Sequence, residues 1–290
     1  MSDAIVVWGE LLWDRFPDGD RLGGAPANVA WHLGQAGSWP QLVTRVGDDE
    51  AGQRAIEALS QLVDTELVQI DPERATGEVT VRVENGEPRY TLHPGRAWER
   101  IACTPHVHTA LATAGVFVYG TLAQRTPEGL AGWRAASAAT KATHVCDLNF
   151  RPSDQASVAI EEAIAAAHVI KANDRELAAL RVWFGWTDPL AKLRETAGIV
   201  AITHGADGAT LYGDGDDGGI EVPGVAAKPG GDNIGCGDAF VAILVHGLAS
   251  GWDLATSGRC AARYAAAVAG ERGATPRFEP EHVAALLELG

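Results

Sequence analysis

Residues 143–205 read THVCDLNFRPSDQASVAIEEAIAAAHVIKANDRELAALRVWFGWTDPLAKLRETAGIVAITHG. Three short apolar runs, "THVCDLNF" (143–150), "HVIKAND" (168–174) and "GIVAITHG" (198–205), are separated by alanine-rich stretches of helical character. Short, near-continuous apolar strands that alternate with helices imply a mainly parallel sheet covered on both faces. This rhythm predicts an α/β fold.

The rhythm extends toward the N-terminus. Residues 4–8 form an apolar run ending at Gly9, and "NVAWHLGQAG" from Asn28 has helical spacing with Gly37 as its stop. "PQLVTRVGDDEAGQRAIEALSQL" repeats the plan, with a strand at 41–46 and a helix from about Glu50. Another strand is expected at 115–119. "TGEVTVRVENGEPRYTL" (76–92) differs, because it alternates polar and apolar residues around Asn85-Gly86, a strong hairpin signal.

The 290 residues carry 46% hydrophobic side chains, enough for one large core, and a formal net charge of -15. That charge argues against a nucleic-acid or anionic-membrane partner but leaves room for a nucleotide held by backbone N–H groups and Mg2+. Cys103, Cys146, Cys236 and Cys260 lie far apart without a CxxC pair, so neither a disulfide framework nor a zinc site is expected. The N-terminus lacks a basic leader, and no apolar run reaches the roughly 20 residues of a membrane span. We expect a cytoplasmic protein.

In open sheets of this kind, ligands bind beyond the carboxyl ends of the strands. Polar residues gather there: Glu10 and Asp14, then Asp147, Asn149 and Arg151, then Asn173 and Glu176, then His204 and Gly205. "KPGGDNIGCGDAFVAILVHGLASG" (228–251) sets a glycine-rich turn before an apolar helix, whose free N–H groups would form an anion hole. Asp238 at its mouth has two readings. It is either a helix cap or a base that takes a hydroxyl proton as that oxygen attacks a phosphoryl group. The helix N-terminus should make it a weak base.

"GGAPANVAWHLGQAG" together with "DNIGCGDAF" resembles the two signature regions of the ribokinase-like, PfkB-type carbohydrate kinases, with the early block similar to bacterial fructokinases. "RVGDDEAGQ", "DLNFRP", "KANDRE" and "GERGATP" extend the resemblance over essentially the whole chain. It implies one Rossmann-like, ribokinase-like kinase domain over 1–290, with a small β-sheet lid formed by about 11–22 and 76–98. ATP would be the co-substrate and Mg2+ the required ion.

By matching position, the resemblance makes Asp238 the catalytic base and the N–H groups of Gly235, Cys236 and Gly237 the anion hole. Asp14, Gly24 and Asn28 would hold sugar hydroxyls. Asn173 and Glu176 match the NxxE element of the Mg2+ and phosphate region, Glu176 acting through water; an ordinary first-turn helix acid is the other reading of Glu176. Thr203, Gly205, Gly208, Gly273 and Ala274 match nucleotide-side elements, and Asp232 the acid linked to a monovalent cation such as K+. The chain departs from the family pattern at Asn233-Ile234, and at Cys236 where Ala is usual.

Arg151 is read either as a contact to the transferring phosphate or an acidic acceptor, or as a surface residue before Pro152. Arg96 and Trp98 either line the acceptor pocket or pack the lid. His32 and His246 lie in apolar helical stretches and read as packed side chains.

The resulting expectation is an ATP-dependent kinase of a primary sugar hydroxyl, with fructose to fructose 6-phosphate leading. The alternatives are a 2-keto-3-deoxygluconate kinase, a kinase of ribose or another ketose, and a non-catalytic nucleotide- or sugar-binding sensor. A homodimer through the lid is also expected.

Overall fold

The computed structural model describes residues 4–84, 87–151, 154–213, 215 and 218–288. The Asn85-Gly86 turn and Pro152 lie outside the described residues. In chain order the strands are β1 (Ile5–Trp8), β2 (Leu12–Phe16), β3 (Gly19–Gly23), β4 (Gln41–Val43), β5 (Arg45–Gly47), β6 (Gln69–Asp71), β7 (Gly77–Glu84), β8 (Glu87–Leu92), β9 (Val116–Tyr119), β10 (Thr143–Asp147), β11 (Val169–Asn173), β12 (Ile199–Thr203), β13 (Gly208–Tyr212) and β14 (Ile220–Pro223). The helices are α1 (Ala25–Gln35), α2 (Glu50–Leu59), α3 (Pro105–Ala112), α4 (Pro127–Ala138), α5 (Val158–Ala165), α6 (Asp174–Phe184), α7 (Pro189–Thr196), α8 (Cys236–Ala249), α9 (Leu254–Ala269) and α10 (Pro280–Leu286).

An eight-stranded sheet in the order β14-β13-β12-β11-β10-β9-β1-β4 forms the centre. It is parallel from β4 to β12, and β13 and β14 close the far edge antiparallel. Alternate residues of β1 face opposite ways, as the period of two in a strand demands. Ile5 and Val7 pack with residues of α1, α2 and α8, whereas Val6 and Trp8 pack with residues of α3, α4 and α5. Burial on both faces is why these strands carry unbroken apolar runs.

A second, four-stranded sheet in the order β3-β2-β7-β8 stands beside the first. β7 and β8 are antiparallel, and β2 joins β7 in parallel register, Leu12 opposite Gly77. The indole Nε1 of Trp13 donates to the carbonyl of Ala51 in α2 over 2.9 Å, tying this sheet to the main body.

Two local expectations are corrected. The run 41–46 is two strands, because Thr44 separates β4, which joins the central sheet, from β5, which pairs with β6 in a two-stranded sheet. The first helix starts at Ala25 rather than Asn28, with Pro26 in its opening turn, where a missing N–H costs nothing. Asn28 therefore sits inside the first turn. Among the described residues, no helix is long and apolar enough to cross a membrane.

Candidate active site

Helix α8 begins behind Gly235, which has φ 77° and whose missing Cβ would lie 2.7 Å from Ala274. Only glycine takes that left-handed conformation against a neighbouring backbone without strain. No side chain caps α8, so its first N–H groups are left without a side-chain partner. Asp238 is the third residue of the helix and not its cap. Its Oδ2 accepts from Asn28 Nδ2 at 2.8 Å, and its Oδ1 from Asn149 Nδ2 at 3.2 Å.

Asn28 comes from the first turn of α1 and Asn149 from the segment just past β10, and both reach α8. Gly24, with φ 101°, precedes α1, and a Cβ there would collide with the Glu10 carbonyl, so glycine allows α1 to enter close to β1. That approach delivers Asn28. Asn149 has φ 41°, an uncommon conformation that asparagine tolerates better than most residues.

The carboxyl of Asp238 is raised to about 6 by its burial and by the negative charge of Asp147, against the hydrogen bond from Asn28 and the charge of Arg151. Loss of water and the like charge of Asp147 act against the weakening that a helix N-terminus alone implies. Two further acids share this environment. Burial raises Glu10 to about 7 and Asp14 to about 6, and Arg151 opposes both shifts. Arg151 donates from Nη1 to Asn149 Oδ1 at 3.1 Å, and its Nη2 lies 3.7 Å from Glu10 Oε1.

Asp147, the last residue of β10, pairs with Lys171 in the middle of β11. Lys171 Nζ donates to Asp147 Oδ1 at 3.1 Å, and each residue is 4% exposed. Sequence reading passed over Lys171. The available signal was a cation inside the apolar run "HVIKAND", because a buried lysine needs a partner.

The remaining candidates lie along the same sheet edge. Asn173 Oδ1 accepts from the N–H groups of Arg175 and Glu176, and Glu176 Oε2 returns to the N–H of Asn173, completing a capping box on α6. Glu176 Oε1 accepts from Phe150 N. Both carboxylate oxygens are thus engaged by backbone. Thr203 ends β12, and Gly205 and Gly208 flank the tight turn into β13. The carboxylate of Asp232 accepts from the N–H groups of Ile234 and Gly273, and Ala274 touches the Gly235 turn. The carbonyl of Ala274 accepts from Nε2 of the buried His32, which is a packed residue as its surroundings in the sequence suggested.

Asp14, Asn28, Arg151 and Asp238 therefore converge, with Glu10, Asn149, Asp147 and Lys171 beside them. Trp98 does not join them. Its ring is 0% exposed in the main core, pressed against Gly77, with the Arg125 guanidinium over its face. The expectation that it lines an open pocket is corrected, because no face of the ring reaches solvent. Arg96 is engaged by Glu78 of β7.

Three buried acceptors at the site lack a donor: Glu10 Oε2, Asn28 Oδ1 and Asp147 Oδ2. Buried polar atoms are rarely left unpaired, so a ligand, an ion or ordered water would supply the missing groups. Among the described residues, no cluster of three or more His, Cys, Asp or Glu side chains is placed to hold a metal alone.

The family model described as pfkB family carbohydrate kinase matches residues 19–281. A putative sugar kinase of Pyrococcus horikoshii is 29% identical over 297 residues, covering 94% of this chain and 93% of that protein. Its crystal structure in complex with ATP superposes with a TM-score of 0.81 at 25% identity, covering 97% of each chain. A fructokinase of Klebsiella pneumoniae is 29% identical over 271 residues, covering 86% of each protein. An ATP-dependent ribose-1-phosphate kinase of Halopiger xanaduensis is 30% identical over 318 residues, covering 99% of this chain and 97% of that protein.

Proposed function

The chain belongs to the pfkB family of carbohydrate kinases, and on that premise we propose that it transfers the terminal phosphoryl group of ATP to a primary hydroxyl of a small neutral sugar, with fructose as the leading acceptor. The observation that carries this reading is Asp238. It is a buried carboxylate raised to about 6, aimed by two amides and set among unpartnered N–H groups of a helix N-terminus. A near-neutral base beside an anion hole suits a hydroxyl attacking a phosphoryl group.

Each residue has a task in this reaction. The acceptor hydroxyl donates to Asp238, which receives its proton as the new O–P bond forms. The N–H groups of Gly235, Cys236 and Gly237 hold the phosphoryl oxygens. Asp14, Asn28 and the Gly24 turn orient the sugar, and the second sheet, carrying Asp14, closes over it as a lid that excludes water. The ATP-bound Pyrococcus relative supports ATP as the donor, and in our reading the nucleotide lies along the edge from Asn173 and Glu176 to Thr203, Gly205 and Gly208, with Gly273 and Ala274 behind.

Mg2+ would enter with the phosphates and neutralise their charge. The free Asp147 Oδ2 fits such a hard, partly hydrated ion, and Glu176, with both oxygens taken, would act only through water.

The choice of a neutral acceptor follows from charge and hydrogen-bonding capacity. Glu10, Asp14 and Asp238 face Arg151, while Arg21 is paired with Asp18 and Lys171 with Asp147, and the buried Asn28 Oδ1 is an unpaired acceptor. Sugar hydroxyls supply the missing donors. A keto acid or sugar phosphate would bring further negative charge to the same place.

The test is ADP release from Mg-ATP with fructose, 2-keto-3-deoxygluconate, ribose and ribose 1-phosphate, for wild type and Asp238→Asn. Fructose-dependent turnover lost in the variant supports the proposal. Preference for either anionic acceptor overturns the neutral-sugar reading, and nucleotide binding without turnover on any acceptor favours a sensor.

A further inference from the structure

Lys171 and Asp147 form an ion pair that stability alone does not explain. Removing both charges from water is costly, and well-packed apolar residues often replace such pairs without loss of stability. Lys171 is held as an ammonium by the carboxylate of Asp147, 3.1 Å away, and both residues are buried.

Its location is the unusual part. Lys171 Nζ lies 3.0 Å from the position a Cβ would take on Gly237, the second residue of α8. A cation thus sits beside the positive end of a helix, where the helix dipole disfavours it. Asp147, Glu176 and Asp238 lie around the ammonium, and an anion seated at the mouth of α8 would meet both the ammonium and the helix N–H groups. The ammonium has three donors and one hydrogen bond, to Asp147, so two remain for that anion. Gly237 contributes no side chain that would screen the ammonium from the N–H groups of α8.

We propose that Lys171 is a further catalytic residue, its ammonium contacting the transferring phosphoryl group of ATP alongside the N–H groups of α8, with Asp147 holding it in place. The inference rests on the kinase reading above. In the step it serves, the acceptor oxygen forms its bond to the γ-phosphorus, the bond from that phosphorus to the ADP oxygen breaks, and the hydroxyl proton passes to Asp238. Lys171 keeps its protons and stabilises charge spread over the phosphoryl oxygens, as preorganised donors do in water-excluded sites.

The test compares wild type with Lys171→Met, using calorimetric binding of ATP and of ADP without acceptor, then kcat and acceptor KM. The expected result is roughly tenfold weaker ATP binding with ADP binding unchanged, kcat lower by about a hundredfold, and acceptor KM within about twofold. Equal loss for ATP and ADP, or kcat within about threefold of wild type, overturns the proposal. Lys171→Met strands the buried Asp147 charge, so the double variant Asp147→Asn/Lys171→Met, which removes that charge and leaves Glu176 to its backbone hydrogen bonds, is measured against Asp147→Asn alone if the single variant does not fold. The nucleotide comparison separates the two ideas: wild type that turns over no sugar removes the kinase reading, yet the loss of ATP preference on changing Lys171 is still readable.

Discussion

Asn28 and Asp238, 210 positions apart in sequence, meet through a 2.8 Å hydrogen bond between two buried side chains. The contact joins the first turn of α1 to the first turn of α8 and leaves Asn28 Oδ1 unpaired beside the carboxylate. One amide thus aims the proposed base and offers an acceptor to the sugar. Asn28→Ala removes both, and a hydrogen bond to a charged group is worth about 1.5–3 kcal/mol. We expect kcat/KM to fall by roughly 10- to 100-fold, with both kcat and acceptor KM affected. Loss confined to ATP KM in steady-state kinetics would refute the assignment.

The anion hole is built from backbone, which makes Cys236 a discriminating position. Its thiol is pushed up to about 11 by burial and by the charges of Asp232 and Asp238, so it is protonated at neutral pH and contributes no negative charge. Cys236→Ala should leave kcat within about twofold. Cys236→Pro deletes a donor worth about 10²–10³ in rate, and because proline disfavours the ψ near 0° of the preceding Gly235 it also strains the turn, so its melting temperature is read beside its rate. Equal activity of the two variants, measured with circular dichroism as a folding control, would show that this N–H takes no part.

How much of this could be read from the chain depends on the kind of signal. β10, β11 and β12 were legible because each is a short apolar run bounded by polar residues, the pattern that burial on both faces imposes. The break at Thr44 was not, since "QLVTRV" is a single uninterrupted run and only tertiary pairing with β6 splits it. β13 and β14 escaped for a similar reason: they form an antiparallel edge without a helix between them, outside the βα rhythm. The start of α1 was marked by Pro26, a signal the longer apolar pattern from Asn28 obscured. At the site, residue types at strand ends showed where chemistry would gather. Proton affinity did not follow from local sequence, because Asp147 and Asp238 become neighbours only once the sheet and α8 are assembled.

Gly235 offers a test of the turn itself. Alanine there must hold a left-handed backbone, at about 1–2 kcal/mol, and press on Ala274. Gly235→Ala should lower the melting temperature by several degrees and reduce kcat by tenfold or more, because the N–H groups of α8 shift with the turn. A variant with wild-type Tm and kcat would contradict the tight packing between the two loops.

The acids of the site set a pH dependence that can be followed group by group. For Glu10, burial raises the folded-state value to about 7 from an ordinary 4.5, so the folded protein binds this proton more tightly than the unfolded chain does. Stability from this group is therefore greatest below about pH 4.5, declines as pH rises, and is lost above about 7, a difference of order 3 kcal/mol at most. The buried His32, lowered to about 4 by loss of water, acts oppositely between about 4 and 6.5, so the whole protein's profile is a composite. Comparing Glu10→Gln with wild type isolates one contribution. The difference in unfolding free energy should move in favour of the variant as pH rises from 4.5 to 7.5, and denaturant titrations at three pH values would measure it. Activity runs the other way. With Asp238 and Asp14 both near 6, kcat/KM should decline below about pH 6 as the proposed base and the sugar contact take up protons. A rate that holds constant down to pH 4.5 would mean that neither carboxylate must be ionised, and the role assigned to Asp238 would fall with it.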